Sequence, residues 1–368
     1  MSINPIILSI PVYFVLISIE WIADAVLNQK KYRFGDVIGN IGAGITEQVT
    51  GLFAKVFLIG LYTFIYSNYR LFEIQHTWYW GVILFIGVDF LYYWAHRKSH
   101  EINLFWVGHI VHHQSEDYNL SVALRQGTFQ KFFTAPFFWP LALLGFDPVW
   151  FLFMSAFVTL YQFWIHTEYI QKLGWFEYLF NTPSHHRVHH GRDSKYLDKN
   201  HGGTFIIWDR LFGTFQEEEE TPNYGVTNQL GTFNPINATL IPVRDIALKV
   251  AESNGLANKL KAIFYGPGWS VNNEKKTKEI TAKYNSKISL SRILYTAFQF
   301  LLLIGISSYT LFSYSQLPLQ NALALALFVL FSIWSIGTLT DNKPYAIKLE
   351  IIRILMGLVG VWYLTQFG

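Results

Sequence analysis

The chain has 368 residues, of which 51% are hydrophobic and only 14% charged, and its net charge is +3. A soluble chain of ordinary make-up carries about 25% charged residues and a nucleic-acid-binding chain needs far more cation than this, so disorder, a fibrous repeat and a nucleic-acid partner are excluded. The absence of cysteine removes disulfides, iron–sulfur clusters, thiolate-held haem, cysteine nucleophiles and zinc fingers.

The apolar residues come in runs that approach or exceed the roughly 20 residues needed to cross a bilayer. The first covers 4–27; it lacks a basic start and is longer than a secretory h-region, so it reads as a span and not as a cleaved leader. A second run covers 41–66 and a third 78–95. Residues 130–145 and 148–166 flank the turn Gly145-Phe146-Asp147-Pro148 and read as a re-entrant hairpin or as two tilted spans. A polar stretch, 168–290, holds 15 of the 28 lysines and arginines. Three more spans follow at 291–314, 318–340 and 346–366. The fold expected is therefore an all-α integral membrane protein, a multi-span helical bundle. Lys30, Lys31 and Arg33 place the first loop on the cytoplasmic side. Counting crossings from there puts the segment after His96, the polar stretch and the turn 341–348 on that side too.

Within the polar stretch, 241–262 alternates apolar and basic residues, as a helix lying on the membrane surface or one packed on the bundle would. The acidic run Glu217–Glu220 reads as a solvated loop.

Eleven of the twelve histidines lie between 96 and 201. His96 and His100 form HxxxH. His109, His112 and His113 form HxxHH, and His186, His189 and His190 repeat it. On a helix, residues four apart differ by about 40° in direction and residues three apart by about 60° the other way. Each cluster therefore projects its imidazoles from a single face. His100 and His109, nine apart, are about half a turn out of phase, which predicts a break between His100 and Asn103 and a second helix folding back. Eight histidines exceed the three or four ligands of one zinc ion, so two ions with a water, hydroxide or dioxygen between them fit the count. Soluble di-iron bundles use Glu and Glu-x-x-His instead, and imidazole suits iron, zinc, copper and nickel alike. His166 ends the fifth run and is a ninth candidate. The centre is thus expected at the cytoplasmic mouth of the bundle, within reach of a lipid chain.

A metal-bound imidazole usually donates its other N–H to a carboxylate or carbonyl. Asp89, two turns before His96 and inside a span, is a candidate partner, as is Glu101, with Asp117, Asn119, Asn200 and Asp209 behind them.

The three clusters resemble the membrane fatty acid hydroxylase and sterol desaturase superfamily. The strings HRKSHEINLFWVGHIVHHQSEDYNLSVALRQG (96–127) and SHHRVHHGRDSKYLDKNHGGTFIIWDRLFGTF (184–215) resemble its alkylglycerol monooxygenase family in particular. So do the GPGW at 266–269 and SIGTLTDNKPYAIKLEIIRILM at 335–356. That resemblance implies a monooxygenase with two iron ions, dioxygen as co-substrate and tetrahydrobiopterin as reductant. It hydroxylates the alkyl carbon next to an ether oxygen and gives glycerol, or a derivative, and a fatty aldehyde. The eight clustered histidines carry over as iron ligands. Glu101 matches a glutamate the family needs, for catalysis or for holding the pterin, and His166 matches a further histidine of the superfamily. His201 stands where the family commonly has tyrosine and is not counted as a ligand. The domains implied are a fatty acid hydroxylase-type unit over 1–230, a cytosolic segment over 231–290 and C-terminal membrane helices over 291–368.

Three other readings compete. A sterol or fatty-acyl hydroxylase or desaturase would use the same centre with a ferredoxin-type electron donor protein. A zinc-dependent lipid hydrolase would not need dioxygen. A metal transporter would need polar groups along a crossing path, whereas these histidines gather at one face.

Overall fold

A computed structural model describes residues 5–271 and 282–367. Residues 272–281 of the expected cytosolic segment lie outside the described residues. Among the described residues the regular elements are all helices, apart from two isolated bridges, Phe180–Phe205 and Gly191–Tyr224.

Helix α1 spans Pro5–Leu27 and α2 Phe34–Tyr69. Helix α3, Trp78–Glu101, stops at Ile102, and α4 runs over Asn103–His113. The break sits where the histidine phase required it. Asn103 holds it open: its N–H donates to the Tyr265 carbonyl at 2.9 Å and its Nδ2 to the Ala262 carbonyl at 2.8 Å. The apolar hairpin is a broken limb, α5 (Gln130–Thr134) and α6 (Trp139–Leu144), followed by α7 (Pro148–Tyr161). Gly145 turns the chain with φ of 105°, a left-handed conformation that favours glycine. Asp147 then caps α7 by accepting from the N–H groups of Val149 and Trp150. At 14 residues, α7 is about 21 Å long, short of the roughly 30 Å hydrocarbon core.

Two short helices, α8 (Pro183–His189) and α9 (Ile207–Phe212), interrupt the polar stretch. Helices α10 (Pro235–Glu252) and α11 (Gly255–Phe264) occupy the amphipathic segment. Ala238, Thr239 and Pro242 of α10 are buried, whereas Leu240, Val243, Leu248, Leu256 and Leu260 stay exposed. One face is packed and another is apolar and open. The chain ends with α12 (Leu290–Ser313), α13 (Leu319–Thr340) and α14 (Ala346–Phe367).

Among the described residues, four helical stretches are long and apolar enough to cross a membrane: Leu8–Leu27, Phe34–Tyr69, Leu290–Gln316 and Leu319–Thr340. Two other expected spans are less apolar for identifiable reasons. Helix α3 carries Asp89 among many Trp and Tyr, and α14 carries Lys348, Glu350 and Arg353. Inside the bundle Glu350 and Arg353 pair, with Tyr295 and Ser335 donating to the carboxylate. Charges at membrane depth survive only when partnered in this way.

Helix α2 is the common wall of two apolar cores. On one side Ile38, Ile41 and Val49 pack with Phe300 and Leu303 of α12 and Val329, Ile333 and Ile336 of α13. On the other, Tyr62 packs with Leu84 and Val88 of α3, Leu141 of α6 and Phe151 of α7. Helix α4 is pressed against the loop that leads into α5. A Cβ on Gly127 would lie 1.7 Å from the Gly108 carbonyl oxygen, a contact no rotamer relieves. Gly127→Ala is expected to lower stability by about 1–3 kcal/mol and to displace the helix that carries three of the histidines. Thermal unfolding in detergent checks this, and an unchanged midpoint would contradict the packing.

Candidate metal centre

The centre is assembled from four places. Helix α3 supplies His96 and His100 from its last turns, and α4, folding back, supplies His109, His112 and His113. His166 follows α7. Helix α8 starts with Pro183 at its first turn and supplies His186 and His189, with His190 as the residue that ends it. All nine rings are buried.

Nitrogen atoms of these rings converge in two groups, each within 4.8 Å: His96, His100, His109, His113 and His189 in one, His112, His166, His186 and His190 in the other. Helical phase sorts them. The i, i+4 pairs 96/100, 109/113 and 186/190 each stay in one group, while His112 and His189 cross to the other. The groups adjoin, with the His113 and His190 rings 4.5 Å apart. Neither group contains a carboxylate.

Backbone carbonyls fix the tautomers. His96 Nδ1 meets the His201 carbonyl at 2.8 Å, and His112 Nδ1 meets that of Arg125 at 2.7 Å. His166 Nδ1 meets the Gln162 carbonyl at 2.7 Å, and His189 Nδ1 that of Lys199 at 2.9 Å. An Nδ1–H given to a carbonyl leaves Nε2 as a lone pair. The Nε2 atoms of His112 and His166 therefore face each other at 3.2 Å with no proton of their own. Nε2 of His100, His189 and His190 is buried with no hydrogen-bond partner. Burial, and then the neighbouring rings, keeps protons away: His109 is pulled down to about 3, and burial pulls His112 down to about 4. Facing lone pairs that exclude protons at neutral pH fit a metal cation in each group. An all-imidazole set suits iron, zinc, copper or nickel.

The other sequence candidates go elsewhere. Asp89 reaches no ring; its carboxylate accepts from the N–H groups of Thr204 (2.6 Å) and Phe205 (3.1 Å) and from Trp208 Nε1 (2.9 Å). Glu101 is about one-third exposed and pairs with Arg97 at 2.7 Å and with Lys98. Asp209 accepts from the N–H groups of His201 and Gly202, each at 2.7 Å. Asn200 donates to the carbonyls of His185 and Gln216. Asp89, Asp209 and Asn200 together fold the 199–209 loop, whose carbonyls orient His96 and His189. Asp117 pairs with Arg33 and Lys283, and Asn119 donates to the Lys31 carbonyl. His201 is fully buried, its ring 5.0 Å from that of His100, and it lies outside both groups. His185 also lies outside them, against Phe215.

The acidic run is not wholly solvated: Glu218 takes both ends of the buried Arg187 guanidinium at 2.6 and 2.7 Å, beside His186. Arg125 is a site residue that sequence reasoning missed. Its guanidinium is buried on the Val111 carbonyl, Asn40 and Gln114, which holds in place the carbonyl that orients His112.

The depressed pKa of these rings has a consequence for the metal-free protein. Above pH 6.5, the ordinary value of an unfolded histidine, both folded and unfolded states are neutral and nothing is lost. Below it the unfolded chain takes up protons that His109 and His112 refuse, so stability falls with pH until about pH 4 for His112 and about pH 3 for His109. Each ring costs up to about 1.4 kcal/mol per pH unit. Chelator-treated protein is expected to unfold at a lower temperature at pH 5.5 than at pH 7.5; equal midpoints would contradict the burial of neutral rings.

Comparison with known proteins agrees with this geometry. The fatty acid hydroxylase family model matches residues 81–214, a stretch that holds every ring of both groups. The chain is 39% identical to the alkylglycerol monooxygenase of Homo sapiens over 97% of its own length and 82% of that protein. It is 38% identical to that of Xenopus tropicalis over 94% of this chain and 79% of that protein. A more distant relative, the ornithine lipid hydroxylase of Rhizobium tropici, is 28% identical over 40% of this chain and 46% of its own. No solved structure matches the chain. The histidine clusters and the likeness along nearly the whole length lead to one conclusion: this chain belongs to the alkylglycerol monooxygenase family, within the wider fatty acid hydroxylase family.

Proposed function

We propose that this protein is an integral membrane, iron-dependent monooxygenase that cleaves the ether bond of alkylglycerols. The observation that carries the reading is the pair of buried all-histidine groups in a chain 39% identical to an alkylglycerol monooxygenase. Two iron ions, one in each group, supply the activation of dioxygen. His96, His100, His109, His113 and His189 hold one, and His112, His166, His186 and His190 the other. The carbonyls of Arg125, Gln162, Lys199 and His201 aim four of these rings, so little reorganisation is needed at reaction. Burial of the rings keeps bulk water from the oxidising chemistry.

The reaction inserts one oxygen atom into the C–H bond of the alkyl carbon beside the ether oxygen. The second oxygen atom leaves as water, with two electrons and two protons that tetrahydrobiopterin would supply. The hydroxylated carbon is a hemiacetal, which collapses to a fatty aldehyde and glycerol or its derivative. We assign Glu101 to the reductant; its partial exposure at the last residue of α3, outside both groups of rings, supports this reading. The histidine end of the bundle faces the cytoplasm, which the cationic loop at Lys30, Lys31 and Arg33 supports. In this reading residues 1–230 are the fatty acid hydroxylase-type catalytic unit, 231–290 a cytosolic segment and 291–368 the C-terminal membrane helices.

Protein purified without oxygen is expected to contain about two irons per chain and to release fatty aldehyde from an alkylglycerol only when dioxygen and tetrahydrobiopterin are both supplied. His112→Ala should lose more turnover than the roughly 10–100-fold that removal of an outer partner costs, together with bound iron. Aldehyde formed without dioxygen, or full turnover in His112→Ala, would sink the reading.

A further inference from the structure

A cavity of about 940 Å³ lies away from the histidine groups, between α3 and α7. Its size is at the upper end of the roughly 300–1,000 Å³ typical of small-molecule sites. Trp78, Val82 and Phe85 line it from α3, and Trp150, Phe157 and Tyr161 from α7. Gly81 makes the room, since a Cβ there would meet Trp150 at 3.3 Å. The lining is mostly apolar, with His76 and Thr77 at the end farther from the centre, and the cavity opens sideways: Trp78, Val82 and Phe157 are exposed on the outside of the bundle. The groove is therefore continuous with the surface that the apolar helices turn towards lipid.

It is also aligned with the metal centre. Trp78, Phe85, Tyr92 and His96 lie within about 40° of one line along α3. On α7, Trp150, Phe157 and Tyr161 share a face, and the chain reaches His166 five residues further on. Between groove and rings lie the Phe205 ring, 5.9 Å from that of Phe85, and a hydrogen-bonded bridge. Tyr92 donates to Gln162 Oε1 at 2.6 Å. Tyr92's ring centre is 5.3 Å from that of His96, and Gln162's carbonyl receives His166 Nδ1. Along α3, Phe85 is eleven residues before His96, about 16 Å, close to half of the roughly 30 Å hydrocarbon thickness. A lipid whose reacting carbon sits at the rings carries the far end of its chain to that depth.

We propose that this groove seats the distal part of the substrate's alkyl chain, which slides in laterally from the bilayer, and that its width sets the chain lengths accepted. The proposal rests on the reading of the reaction given above. A long flexible chain fits a slot running along two helix axes and lined mostly by apolar groups.

Two substitutions at lipid-exposed positions change the slot in opposite directions: Val82→Trp narrows it and Phe157→Ala widens it. The ratio of aldehyde released from hexadecylglycerol to that from octylglycerol should fall about tenfold in Val82→Trp, the scale of discrimination an apolar pocket exerts. It should hold or rise in Phe157→Ala. Equal ratios in all three proteins would overturn the proposal. If the wild-type chain oxidises neither ether, the reaction is misassigned, and the groove is then judged by labelling. A hexadecyl ether lipid with a diazirine at its far end is photolysed with the full chain in detergent. Adducts within 78–86 or 148–161 that excess hexadecylglycerol removes support the groove. Adducts elsewhere, or adducts the competitor leaves unchanged, overturn it.

Discussion

The structure turns on four hydrogen bonds between imidazole Nδ1 atoms and backbone carbonyls. Each commits one nitrogen of a ring and leaves the other as a lone pair pointing inward. A histidine without such a partner can rotate or exchange tautomers, and a group of them has no defined donor direction. With the bonds in place, His112 and His166 present lone pairs to each other at 3.2 Å. That contact is unfavourable by itself and becomes favourable around a cation. Folding pays this local cost by packing elsewhere, above all on the two faces of α2.

Those carbonyls need firm support, and the polar residues near the centre provide it. Asp89 gathers three donors from 204–208, and Asp209 and Asn200 close the same loop around Thr214 and Gln216. On the other side, buried Arg125 ties the 120–127 turn to α4 and α2. In the low-dielectric interior a half-satisfied network of this kind would be costly, and here most members have partners. These residues serve the centre by holding main chain, at one remove from the rings.

The histidine spacing made much of the centre legible. The three clusters could be read as helical faces, and the half-turn mismatch between His100 and His109 predicted a break between His100 and Asn103, where the structure has it at Ile102. The lone His166 was visible through its place at the end of an apolar run. The partners of the rings were not legible, because a carbonyl belongs to every residue: nothing in Lys199, Gln162 or Arg125 as side chains marks the oxygen that each contributes. Asp89 was read as facing a ring because phase places it on the same side of α3 as His96. The loop 202–208 comes between, and only tertiary structure brings it there. The broken limb 130–144 was similarly ambiguous, since a run of apolar residues has the same signature whether it crosses the bilayer or turns within it.

The sorting of the rings has a mechanical corollary. Helices α4 and α8 each lend histidines to both groups, so neither helix belongs to one half of the centre. A slip of one residue in either would misalign donors on both sides at once. The two halves share their scaffolding, and the protein has no route to building one without the other.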